Sequence, residues 1–156
     1  MALELTSSVI NANQPIPKQF TCEGDGISPP LTWRGILQNT AVFALLADDP
    51  DAPRGVFTHW VLFNLSGNTD HLEGAVPQTQ RLENGASQGR NDFGDVGYGA
   101  PCPPKGDAPH HYRFTLYALD TPLLLEPGAT KQQVLDAMRG HILDQAQLVG
   151  TYARQG

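Results

Sequence analysis

Cysteine is scarce in this sequence: Cys22 and Cys102 are the two among 156 residues, far apart and matching no zinc-ligand spacing. A disulfide-dense scaffold is therefore excluded. In a cytosolic chain two such thiols are expected to be reduced. Spacing leaves open whether their Cα atoms come within the roughly 4.4–6.8 Å that a bridge requires. Positive charge is thin as well. Ten Lys and Arg stand against sixteen Asp and Glu, a formal net charge of −6, and the pI is near 5.2. Arg34, Arg54, Arg81, Arg90, Arg113, Arg139 and Arg154 are scattered, so no basic patch offers itself to nucleic acid or to an anionic membrane. No apolar run reaches the roughly 18–20 residues of a bilayer span, which argues against an integral membrane protein. The N-terminal "MALELTSSVINANQPIPKQF" has neither a basic stretch nor an apolar core of a signal peptide, and the expected location is cytoplasmic.

No linker, repeat or compositional break divides the chain, and one domain over residues 1–156 is expected. Hydrophobic content of 40% with 17% charged residues is that of an ordinary globular protein. Thirteen prolines and sixteen glycines favour short elements joined by rigid loops. Four runs read as strands. "LELTS" alternates, with Leu3 and Leu5 against Glu4 and Thr6. "TAVFALLA" (Thr40–Ala47) is continuously apolar, as in a strand buried on both faces. "HWVLFNLS" (His59–Ser66) and "YRFTLYAL" (Tyr112–Leu119) are rich in aromatic and aliphatic residues. In the last, Tyr112, Phe114, Leu116 and Ala118 share one face. The expected class is mainly β, a sandwich of two antiparallel sheets.

One segment, "GATKQQVLDAMRGHILDQAQL", carries helical periodicity. Thr130 and Gln133 form a capping-box pattern, and Val134, Leu135, Met138, Ile142 and Leu143 make one apolar stripe. The spacing predicts a C-terminal helix through this stripe, with His141 solvated or capping, followed by a last short strand in "LVGTYARQG".

Reactive side chains gather in three places. "ADDPDAPRG" follows the apolar strand, and Pro50 and Pro53 stiffen it, so Asp48, Asp49 and Asp51 are expected on a rigid loop. In "FTHWVLF", His59 opens a strand beside Trp60. The third is "GYGAPCPPKGDAPHHYRFTLYAL", with Tyr98, Cys102, His110, His111 and Tyr112. Strand alternation puts His110 with Tyr112 and turns His111 away. Two histidines, one or two aspartates and a tyrosine at junctions of stiff loop and strand suit a small anion. An aspartate there can fix a histidine tautomer, or accept from a protonated ligand oxygen.

Those stretches resemble the phosphatidylethanolamine-binding protein family, in its bacterial Raf kinase inhibitor-like branch, over nearly the whole length. "PIPKQFTCEGDGISPPLTW", "DDPDAP…THW", "NDFGDVGYG" and "GYGAPCPPKGDAPHHYRFTLYAL" carry the resemblance in order. It implies a β-sandwich with helical structure at the C-terminal end and a conserved cavity for phosphate-like anions. By position it places Asp49, Pro53, His59, His110 and Tyr112 around that cavity. Cys102, Pro103 and Pro104 stand on the rim, and Asp51 and Trp60 support them. It implies a role as a regulator of signalling proteins, and a homodimer as in bacterial relatives. The loop from Pro53 to His59 is shorter than in eukaryotic members, and the longer C-terminal helical segment of animal members is missing, so kinase contacts are not carried over.

The expected function is thus binding of a small phosphorylated or carboxylate anion, with no cofactor and no metal. The alternative is a hydrolase or a metal-dependent enzyme using His59, His110 and a carboxylate. Against it stand the absence of an H-E-x-x-H motif and of a G-x-S-x-G elbow around Ser28, Ser66 or Ser87.

Overall fold

The structure is a computed structural model and describes residues 2–155. Among the described residues eight strands form two antiparallel sheets. The smaller has β1 (Glu4–Thr6), β2 (Leu31–Arg34) and β5 (His71–Leu72), in the order β1-β2-β5. The larger has β3 (Val42–Asp49), β4 (Phe57–Ser66), β6 (Ser87–Gln88), β7 (His110–Leu119) and β8 (Ile142–Tyr152), in the order β6-β4-β3-β7-β8. One α-helix, α1 (Lys131–Met138), follows β7. The expected two-sheet sandwich is therefore the observed one.

Alternation decides what each strand buries. Leu3, just before β1, and Leu5, Leu31 and Trp33 of the small sheet meet Phe43, Leu45, Trp60, Leu62, Phe114, Leu116 and Ala118 of the large one. Trp33 stands edge-on to Phe43 with ring centres 5.4 Å apart, an aromatic tie between the sheets. The other face of the large sheet is covered over its centre. Val42, Ala44, Leu46, Val61 and Phe63 pack against Leu123, Ala129, Val134 and Met138 from the 120–138 segment. Central strand β3 is buried along its whole length for this reason, as its unbroken apolar run predicts.

Two expectations are corrected. The helix stops at Met138 rather than running through the stripe. Its start is as read, since Thr130 Oγ1 accepts from Gln133 N (3.2 Å) and Gln133 Oε1 accepts from Thr130 N (2.9 Å). Gly140 then adopts φ +84°, a left-handed turn that ends the helix, and the chain reverses. Ile142 and Leu143 lie in β8, which is eleven residues long rather than short. His141 is on the connecting turn, half-buried, with Nδ1 2.9 Å from Asp120 Oδ1.

The second correction concerns the cysteines. Cys22 and Cys102 form a disulfide with Cα atoms 5.3 Å apart, not two reduced thiols. Residues 80 apart meet because Cys22 N donates to Pro101 O at 3.0 Å, laying the segment after a 3₁₀ turn (Lys18–Phe20) beside the proline-rich loop. Linear spacing carried no trace of that contact. No helix among the described residues is long and apolar enough to cross a membrane.

Candidate functional site

Antiparallel pairing brings the end of β3 beside the starts of β4 and β7. The reactive residues of all three therefore meet at one end of the large sheet. They line a pocket of about 220 Å³ formed by Asp49, Ala52, Pro53, Phe57, His59, Phe93, Cys102, Pro103, Pro104, His110 and Tyr112. A larger groove of about 700 Å³ lies under residues 73–84. Its titratable groups His71, Glu73, Arg81 and Glu83 are all exposed, and it lacks the buried polar chemistry of the smaller pocket.

Asp48 and Asp49 are not on a loop, as the prolines after them led one to expect, but are the last residues of β3. The pleat sends them to opposite faces. Asp48 turns toward the helix side, where Arg113 Nε (2.8 Å) and Lys131 Nζ (2.7 Å) neutralise it. Asp49 turns into the pocket, where its Oδ2 lies 2.7 Å from His110 Nδ1 and its Oδ1 accepts from Asp51 N at 2.8 Å. Asp51 Oδ2 in turn accepts from His111 N (2.8 Å) and meets His111 Nδ1 at 2.7 Å. These bonds hold the Asp51 carboxyl below its ordinary pKa and stitch the turn to β7. His111 itself is exposed and points outside the pocket.

A β-bulge places His59. Ala47 pairs with Trp60 and Asp48 with Thr58, so His59 is the extra residue between them. The bulge lets His59 and Trp60 both turn inward instead of alternating. Trp60 goes deeper: it is fully buried, its Nε1 donates to Gln88 Oε1 (2.8 Å), and it packs edge-on against Tyr98. It supports the wall from behind. The His59 ring stands among Phe57, Phe93 and Tyr112, with centroids 4.9, 5.5 and 5.3 Å away.

The two imidazoles differ in charge. His59 Nδ1 lies 2.7 Å from Gly99 O, and a carbonyl can only accept, so Nδ1 carries the proton. In the neutral ring Nε2 is then a lone pair with no partner among the described residues. Burial holds this ring below its ordinary pKa, although Gly99 and the charges of Asp49, Asp92 and Asp48 offset part of that. His110 has a carboxylate at each nitrogen, Asp49 at Nδ1 and Asp107 Oδ2 at 3.1 Å from Nε2. Both contacts are attractive only if both nitrogens carry protons, as in the imidazolium. Burial pulls its pKa down, but the bonds to Asp49 and Asp107 outweigh burial and leave it raised. Tyr112 stacks near His110 at 6.4 Å, and burial beside Asp49 and Asp51 pushes its phenol up, so its hydroxyl stays protonated.

Sequence reasoning missed Phe57, Phe93, Ala52 and Asp107. Phe93 had a signal in "NDFGD". Asn91 Oδ1 accepts from Phe93 N (2.9 Å) and Asp95 N (3.2 Å), a compact turn that aims the ring at the pocket. A Cβ on Gly99 would sit 2.4 Å from the Phe93 ring, so any other residue there would push that ring aside. Tyr98, grouped with the reactive residues by sequence, instead donates to Phe20 O at 2.7 Å in the core. Among the described residues no cluster of three or more His, Cys, Asp or Glu could hold a metal ion. The two-histidine, one-carboxylate set of the alternative reading is already engaged, with Asp49 on His110 and His59 Nδ1 on Gly99.

The model of the phosphatidylethanolamine-binding protein family matches residues 6–153. A UPF0098 protein of Methanothermobacter thermautotrophicus is 50% identical over 152 residues, covering 97% of this chain and 99% of that one. The crystal structure of a phosphatidylethanolamine-binding protein homologue from Chlamydia trachomatis superposes with a TM-score of 0.90 at 41% identity, over 99% of both chains. That of Escherichia coli YbcL gives 0.91 at 32% identity, over 99% of this chain and 100% of that one. Family model, sequence relatives and solved structures agree, and the chain belongs to the phosphatidylethanolamine-binding protein family.

Proposed function

We propose that the pocket binds a small anion, a phosphorylated or carboxylate group that carries or shares a proton. One observation carries the reading: His110, buried with a carboxylate at each ring nitrogen, shares a pocket of about 220 Å³ with His59, whose Nδ1 is on a carbonyl and whose Nε2 is left to accept. Charge on one side and a proton acceptor on the other match monohydrogen phosphate or a phosphomonoester. The Tyr112 hydroxyl, with no partner among the described residues, supplies a further donor. Pro53, Pro103 and Pro104 keep the mouth open with little conformational freedom to lose on binding.

Binding rather than turnover is the reading, because the lining offers no Ser or Thr and its one cysteine is held in a disulfide. A regulatory role toward signalling proteins would use the same pocket for a phosphorylated side chain. A disulfide of this kind persists in oxidising compartments and inside hyperthermophiles, so it lends no support to the cytoplasmic expectation.

Titration with inorganic phosphate and with phosphorylethanolamine, followed on the ring signals of His59 and His110 by NMR, tests the site. Both rings are expected to respond by millimolar ligand. Silence of both, together with phosphate stabilisation unchanged in His59→Ala, would refute it.

A further inference from the structure

The two carboxylates on His110 are not equivalent. Asp49 is rooted in the central strand and its side chain is 5% exposed, while that of Asp107 is 44% exposed. Asp107 belongs to the rim loop between Pro104 and Pro109. Near it that loop is held by two long backbone bonds, Asp107 N to Pro104 O and Gly106 N to Arg154 O, both 3.2 Å. The contacts follow the same ranking, 2.7 Å for Asp49 and 3.1 Å for Asp107. Asp49 is a fixed counter-ion. Asp107 can leave by rotating one exposed side chain into water.

Building on the anion-binding reading, we infer that Asp107 is an internal surrogate for the ligand, occupying the Nε2 position of His110 until an external anion displaces it. A carboxylate there offers what a bound anion would, a negatively charged oxygen within hydrogen-bond reach of a buried N–H. Without it, the outward N–H of the buried imidazolium would go unpaired in the empty pocket. With it, both ring nitrogens of His110 are paired before any ligand arrives.

Self-occupancy sets which anions can enter. Asp107 is tethered, so it competes at a high effective concentration with anything in solution. A free monocarboxylate offers His110 the same group without the tether and loses. Monohydrogen phosphate brings a second charge, further oxygens and a proton, so its hydroxyl can donate to His59 Nε2 while another oxygen accepts from the Tyr112 hydroxyl. Asp107 thereby narrows the ligand class from small anions in general to phosphates that carry a proton. The other charged groups near His110 do not provide this selection. Asp49 on β3 is buried, Asp51 is bound to His111, and Arg154 after β8 donates from Nε to Pro103 O at 2.6 Å. Apparent affinity then falls by the fraction of molecules in which Asp107 is already out.

The decisive experiment compares wild type with Asp107→Asn and Asp107→Ala, using inorganic phosphate and acetate as probes in calorimetry and NMR. Both variants change an exposed loop side chain and leave the core untouched. Each should bind phosphate more tightly, on the order of tenfold, because no charged competitor remains. Acetate, silent in wild type, should now perturb His110. Without ligand, the midpoint of His110 protonation should fall in both variants. If wild type binds phosphate but the variants bind it equally or more weakly, the surrogate role is overturned and the anion site stands. Weaker binding would make Asp107 an acceptor for the ligand's own proton. If neither wild type nor variant binds phosphate, the site reading itself fails, and the surrogate with it.

Discussion

His59 and His110 are equally buried, each 5% exposed, and line one pocket, yet their surroundings drive them in opposite directions. His59 is fastened by a carbonyl and boxed in by aromatic rings, so burial wins and it is neutral. His110 is fastened by carboxylates, so charge wins and it is an imidazolium. Burial alone does not decide a histidine's state. The group on its second nitrogen does, and a carbonyl and a carboxylate give opposite answers.

Removing the charged member should have the largest effect. His110→Ala leaves Asp49 buried without its partner, a loss of about 3–5 kcal/mol by analogy with broken buried ion pairs. Denaturant unfolding measures it, and Asp49→Asn in the same background should recover much of the loss. A smaller loss, about 2–4 kcal/mol, is expected when the Cys22–Cys102 bridge is opened with Ser at both positions. That change separates the histidines too. It loosens the rim loop on which Asp107 rides, so His110 signals should move more than those of His59, which is held through Gly99.

The pH dependence of stability sharpens the contrast further. The pKa of His110 is raised in the fold, so its contribution is complete below the ordinary histidine value and is lost as pH rises through the raised one. That of His59 is lowered, so the fold loses stability as pH falls from the ordinary value toward the lowered one. Stability should therefore decline on both sides of a maximum. His59→Gln should flatten the acid side alone in pH-resolved thermal unfolding. The smallest effect belongs to His111→Ala. Its pair with Asp51 is exposed, about 0–1 kcal/mol, and phosphate affinity should not change.

Much of this contrast was legible in the chain before folding. The apolar run of β3, the period-2 pattern of β7 and the Thr130–Gln133 box gave the sandwich and the helix start, because each is a local signal. Alternation within β7 separated His110 from His111 for the same reason. What stayed hidden depends on contacts distant in sequence. The bulge that turns His59 inward exists only through pairing with β3, and the disulfide only through the packing of residue 22 on the proline loop. Asp107 was passed over because a loop aspartate between glycine and prolines looks like turn chemistry; only its distance to His110 gives it a role. Likewise the apolar stripe runs on past Gly140, whose left-handed conformation ends the helix and frees Ile142 for β8.

Nitrogen-15 NMR of the imidazole rings in ligand-free protein near neutral pH tests the central claim most directly. His110 is expected with both nitrogens protonated, and His59 neutral with its proton on Nδ1 and none on Nε2. Two rings titrating together near the ordinary histidine value, or a neutral His110, would contradict it.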